Sequence, residues 1–110
     1  MAKFVKGDVV VVPFPFSDLT QAKRRPALVI ADLEGDDVIL CQITSQAVSD
    51  RYAVSITDRD FLTGGLKQQS NARPNRIFTA DSHIILYKTG ALQPAKIVEI
   101  IDKMVGIIRA

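Results

Sequence analysis

A helical apolar period occurs once in this sequence, after Pro94, where Ile97, Val98, Ile100, Ile101, Met104, Val105 and Ile108 recur at spacings of three and four. Pro94 fits the first turn of that helix, where a missing N–H does no harm. Everything before it reads as short strands and turns, so no helical segment exists to carry the crossover between parallel neighbours. A doubly wound α/β fold is thereby excluded. What remains is a mainly β chain with a C-terminal helix (α+β), its six or seven short strands curled into a small, partly closed barrel under helical cover.

The strands follow from local pattern. Val9 to Val12 is β-branched throughout and is expected to stop at Pro13. A polar and finally basic loop, holding Ser17, Asp18, Thr20, Gln21 and Lys23-Arg24-Arg25, is expected to run to Arg25. Pro26 then opens a strand through Ala31, and Glu34-Gly35-Asp36-Asp37 makes a hairpin turn. Alternation in Val38 to Thr44 places Ile39, Cys41 and Ile43 on one face, with Thr44 sharing the other face with Gln42. Further strands are predicted over Tyr52 to Thr57, Arg76 to Thr79 and His83 to Tyr87, with Asp58 to Gly65 as loop.

With 110 residues, 47% of them hydrophobic, the chain suits a single domain, 1–110, with a real core. A net charge of +2 is too small for nucleic-acid binding by bulk charge, so any such function must come from a local patch. One cysteine, Cys41, makes neither a disulfide nor a zinc site, and one histidine, His83, excludes a two-histidine acid/base pair. Cys41 is read as a small core residue and His83 as structural. The apolar stretch Val9 to Phe16 is far shorter than a bilayer span of about 20 residues. Charges at Lys6 and Asp8 spoil a signal peptide, which makes a cytoplasmic location the expectation.

Three blocks carry a resemblance: Lys6-Gly7-Asp8-Val9-Val10-Val11-Val12-Pro13-Phe14-Pro15-Phe16, then Arg24-Arg25-Pro26-Ala27-Leu28-Val29-Ile30, then Gln42-Ile43-Thr44-Ser45. In order and spacing they resemble the PemK/MazF/Kid family of toxins from toxin–antitoxin systems. Ser70 to Asp81 resembles that family's final core strand, and the helix after Pro94 falls where the family has its last helix. The resemblance implies a small SH3-like barrel of the Kid/MazF type, a homodimer that cleaves single-stranded RNA with no metal or other cofactor. It also implies an acidic antitoxin that holds the toxin inactive, and RNA products ending in 2′,3′-cyclic phosphate and 5′-hydroxyl. By position, Arg25, Thr44 and Arg73 match the family's functional arginines and threonine. Lys23, Arg24, Ser45, Asn75, Phe16 and Ser17 are the accompanying RNA-binding candidates, and Phe14 or Phe16 can stack on a base. Two positions depart from the pattern: Asn75 stands where Kid-like members have an aspartate, and the first loop has no histidine.

These residue types suit the chemistry. When the ribose 2′-hydroxyl attacks the adjacent phosphorus, the nucleophile belongs to the substrate, so the protein needs to supply orientation, cations and proton transfer. Arg25 and Arg73 can hold phosphate oxygens in a bidentate fork, and Thr44 can donate to a non-bridging oxygen. An amide at position 75 has no proton affinity near neutral pH, which leaves Asp18, Asp81 or water as the acceptor. Two other functions stay open on sequence grounds: an SH3-like binding module that inhibits a partner such as gyrase, and an RNA binder that does not cut.

Overall fold

Four consecutive valines form the centre of the molecule, in a computed structural model that describes residues 4–14 and 23–110. They lie in β1 (Asp8–Phe14), which pairs antiparallel with β2 (Lys23–Asp32) on one side. β2 turns through Gly35, whose φ of 74° favours glycine, into β3 (Asp37–Thr44). β4 (Val54–Ile56) and β5 (Phe61–Gly64) are short; β6 (Ser70–Asp81) is the longest strand, and β7 (Tyr87–Leu92) leads into α1 (Pro94–Arg109). All seven strands join one sheet in the order β4-β6-β3-β2-β1-β7-β5, and each described pair is antiparallel. The sheet curls into a half-barrel, as the absence of crossover helices requires.

Both faces of the curled sheet are packed. On one, Val9, Leu28, Cys41, Ile43 and Ile56 meet Ile100 and Met104 of the helix. On the other, Val10, Val12, Ala27, Val29, Val38 and Leu40 are covered by Phe4, Phe78, Ile84 and Ile85. The alternation read in β3 is therefore correct: Cys41 and Ile43 face the helix, while Val38 and Leu40 face away. Fully buried side chains such as Leu28, Leu40 and Ile43 contribute about 1.5–3 kcal/mol each.

Several boundaries differ from the sequence reading, and prolines explain the most important. β1 runs through Pro13 and pairs it with Arg24. The Val11 carbonyl accepts the Leu86 amide, so Pro13, two residues on, aims its missing N–H at the same side, where pairing with β7 has already ended at Val11. Pro26 is likewise interior to β2, facing a β3 ladder that begins only at Ala27. Arg24 and Arg25 consequently lie on a strand and not in a loop. Phe61–Gly64 is an edge strand where a loop was expected, and its Gly64, at φ 64°, packs against the Thr89 backbone where a Cβ has no room. His83 lies in a single 3₁₀ turn, Ser82–Ile84, so the last strand begins at Tyr87 instead of His83, and β6 is not the final strand.

The helix divides its apolar residues. Ile100 and Met104 are buried, whereas Val98, Val105 and Ile108 are 56%, 41% and 69% exposed. One stripe serves the core and the other faces outward. No helix among the described residues is long and apolar enough to cross a membrane.

Candidate functional site

Thr44 ends β3, and its partner on β6 is Asn71. On the other side the β2–β3 ladder closes with Ala27 opposite Gln42, and carrying that register two residues further sets Arg25 across from Thr44. Arg25, Thr44 and Asn71 thus form a row across three strands. Alternation from Asn71 puts Arg73 on the same face, one row along. Ala27 and Leu40 fill that face nearby, so the polar row borders packed core.

Thr44 is 8% exposed, and a hydroxyl so buried needs a partner. Its Oγ1 accepts the Gln46 amide at 3.2 Å, which uses a lone pair and leaves the O–H as a donor. Ser45, immediately beyond, is exposed. Arg25 is half-buried, and its neighbours Lys23 and Arg24 on β2 are exposed.

Arg73 stands at a break in the sheet. Between Cys41 and Ile43 the β6 partner changes from Ile77 to Ala72, so Arg73, Pro74, Asn75 and Arg76 are set against Gln42 alone. Pro74 has no N–H for the ladder, which favours a bulge here. The Cys41 thiol donates to the Arg73 carbonyl at 3.3 Å and ties the bulge to β3. Burial pushes the Cys41 thiol up to about 12, so it stays protonated and is no nucleophile.

The Arg73 side chain is 18% exposed, and its Nη2 donates to Asp50 Oδ2 at 3.0 Å. Its Nε is buried with no acceptor among the described residues, an omission that costs about 1–3 kcal/mol. Asp50 Oδ1 accepts the amides of Tyr52 and Ala53 at 3.0 and 3.2 Å. Burial works against the charged form of Asp50, but those two amides and the Arg73 guanidinium outweigh it and hold the carboxyl below its ordinary range. A carboxylate already accepting from two amides and a guanidinium has little capacity left for another proton.

Of the residues singled out in the sequence, Arg25, Thr44 and Arg73 come to one face of the sheet. Lys23, Arg24 and Ser45 flank them, and Asn75 is exposed on the bulge. Phe16 and Ser17, with Asp18, lie outside the described residues. Asp81 is removed from contention as a proton acceptor, since it pairs with Asp37 at the opposite end of the β3–β6 ladder. There it accepts from the His83 amide and ring at 2.8 and 2.6 Å. Asp36, Asp81 and His83 bring potential ligand atoms within 4.8 Å of one another, all on exposed side chains. A cavity of about 490 Å³ beside them is lined by Phe4, Asp32, Asp36, Asp37 and His83, a carboxylate-rich wall that repels a polyanion. Asp50, Asn71 and Arg76 were missed as members of the site. Asp50-Arg51-Tyr52 carries a turn signal, but nothing in the spacing points across to Arg73.

Residues 5–107 match the family model described as PemK-like, MazF-like toxin of type II toxin–antitoxin systems. Among solved structures, MazF from Deinococcus radiodurans in crystal form I is similar at TM-score 0.79 and 17% identity, with 100% of each chain covered. An endoribonuclease from a mycobacterial species, in complex with its cognate antitoxin, is similar at TM-score 0.75 and 15% identity over 99% of this chain and 96% of that one. Toxin MazF-mt6 of Mycobacterium tuberculosis reaches TM-score 0.70 at 15% identity, over 93% and 96%. At these identities the likeness is one of fold. No curated protein sequence matches significantly.

Proposed function

The chain belongs to the PemK-like, MazF-like toxin family of type II toxin–antitoxin systems, and from that premise we propose that it is a cytoplasmic endoribonuclease toxin. It cleaves single-stranded RNA, mRNA included, at selected sequences, by attack of the ribose 2′-hydroxyl. The arrangement that carries this reading is Arg25 on β2 and Arg73 on β6 flanking Thr44 at the end of β3, with Arg25 set across from Thr44 when the β2–β3 register is continued past Ala27. A pentacoordinate phosphorane carries extra negative charge on its equatorial oxygens. Two guanidinium groups and a hydroxyl already fixed by the Gln46 amide supply donors for those oxygens without reorganisation.

The products carry 2′,3′-cyclic phosphate and 5′-hydroxyl ends, because the attacking 2′-oxygen stays bonded to phosphorus while the P–O5′ bond breaks and the leaving 5′-oxygen takes a proton from water. Asn75 cannot take a proton and Asp50 is engaged by the Arg73 guanidinium and two turn amides, and in this reading water accepts the 2′-hydroxyl proton while the cations carry the catalysis. No metal is needed for a substrate-borne nucleophile activated in this way. An acidic antitoxin covers Arg25 and Arg73 and excludes RNA, in line with the relatives solved in complex with antitoxin. The outward apolar stripe of α1, Val98 with Val105 and Ile108, supports a homodimer.

The test is to incubate pure protein with mixed-sequence RNA in chelator, map the ends, and repeat with 2′-deoxyribose at the cut position. Cleavage of the ribose substrate alone is expected. Cleavage of the deoxy substrate contradicts the mechanism, and binding of RNA without cleavage leaves the protein an RNA-binding module.

A further inference from the structure

Resting on the reading that Arg73 meets RNA, we propose that Asp50 is a positioning residue of the same site, a preset carboxylate that fixes the Arg73 guanidinium before substrate arrives. The two oxygens of Asp50 divide their work. Oδ1 accepts the Tyr52 and Ala53 amides, and Oδ2 takes Nη2 of Arg73 at 3.0 Å. The carboxylate is therefore held by its own turn through one oxygen, independently of the arginine it binds with the other. Arg51 stacks over the Tyr52 ring, 5.5 Å from its centroid, on the same turn.

The arginine, in contrast, stands at the start of the bulge in β6, where no residue of β3 pairs with it and strand alternation fixes only the face it leaves from. It has four rotatable side-chain bonds, and among the described residues its guanidinium donates to Asp50 alone. Its buried Nε has no acceptor among the described residues. An arginine present only to stabilise the bulge would have its donors satisfied, whereas one aimed for a ligand can leave a donor unmatched. Asp50 supplies the aim.

Asp50→Asn separates this role from a structural one. The side-chain carbonyl can keep both turn amides, while the new NH₂ group faces the guanidinium, donor against donor. The turn is kept and the hold on Arg73 is lost. Misplacing a phosphate-binding group lowers kcat, so a fall of about 10- to 100-fold is expected, with KM changed by less than about threefold. In an Arg73→Ala background Asp50→Asn should add less than about twofold, because a residue that acts through Arg73 has nothing left to position. A full Asp50→Asn factor in that background, or a parental kcat in Asp50→Asn, overturns the proposal.

The unmodified protein gives a second reading that needs no variant to fold and no RNA to be cut. Nitrogen NMR of the arginine side chains should show slow rotation about the Arg73 Cζ–Nε bond. Fast rotation there defeats the proposal for Asp50. Failure of the parental protein to cut RNA instead defeats the proposed function, and the two failures are thus told apart.

Discussion

At the Asp37 end of the β3–β6 ladder the charged side chains are Asp36, Asp37 and Asp81 with His83 beside them, whereas at the Thr44 end they are Arg73 and Arg76, with Arg25 alongside on β2 and Asp50 bound to Arg73. The same two strands make both ends. Eight residues of β3 separate them, about 23 Å at the usual rise of a strand. That is more than twice the Debye length of about 8 Å in physiological salt, so each end presents its own field. The net charge of +2 conceals this division. The ends also differ in regularity. The acidic end closes in an ordinary glycine turn, while at the basic end the β2–β3 ladder stops at Ala27, short of Thr44, and the β3–β6 ladder is interrupted at Gln42 by the Pro74 bulge before it resumes at Ile43. Donors released from sheet pairing are what a phosphate site requires.

The sharpest break between the ends comes from Arg25→Ala set against Asp36→Ala. The first should lower the RNA-cleavage rate by about 100- to 1,000-fold with the fold retained, since one preorganised cation is lost. The second should leave the rate within about twofold, as a charge beyond the screening distance. Equal losses from both would erase the distinction.

A smaller effect is expected at Thr44. Thr44→Ala removes one hydroxyl donor and should reduce the single-turnover rate by about 10- to 100-fold, less than the loss of a permanent cation. A parental rate would mean that the hydroxyl serves only the Gln46 turn.

Asn75 divides the basic end itself. Asn75→Ala should change the rate by less than about threefold, because an exposed amide can only orient groups by hydrogen bonds. Asn75→Asp should add an acid limb to the pH–rate profile if that position can serve as a base. A tenfold or greater loss in the alanine variant would place the amide in contact with substrate.

The smallest effect belongs to the acidic end and concerns stability alone. The Asp81 hydrogen bond and charge, with Asp36 nearby, raise the His83 pKa above 6.5. The His83 amide and ring hold Asp81 below 3.8. A raised histidine stabilises fully below pH 6.5 and loses that contribution as pH climbs through its folded value, while the depressed aspartate contributes above pH 3.8 and loses it on further acidification. The difference in melting temperature between the parental chain and His83→Ala should therefore be greater at pH 5.5 than at pH 8.5. The pair is exposed and the difference small. Equal differences at both pH values would show that the imidazole charge has no part in it.

Legibility in the sequence followed the same division. Val9 to Val12, the alternation of Val38 to Thr44 and the helix after Pro94 are periodic signals, and each gave an element of the observed type. Prolines misled at Pro13 and Pro26. The first was read as a strand's end and the second as a strand's start, but each sits inside a strand at a point where a neighbouring ladder is absent, which depends on other strands and has no local trace. Phe61–Gly64 is an edge strand with one neighbour and has too few apolar positions to show alternation. Arg25, Thr44 and Arg73 were singled out through motif spacing, whereas Asp50 reaches Arg73 across 23 residues, a pairing created only by the fold.

The central claim, that RNA meets the Thr44 end and not the Asp37 end, is tested most directly by amide chemical-shift mapping with a single-stranded RNA made uncleavable by 2′-O-methylation. Perturbations are expected at Arg25, Thr44, Asn71 and Arg73, fading as salt is raised. Shifts confined to Asp36, Asp81 and His83, with the Arg25 to Arg73 row unmoved, would contradict the account.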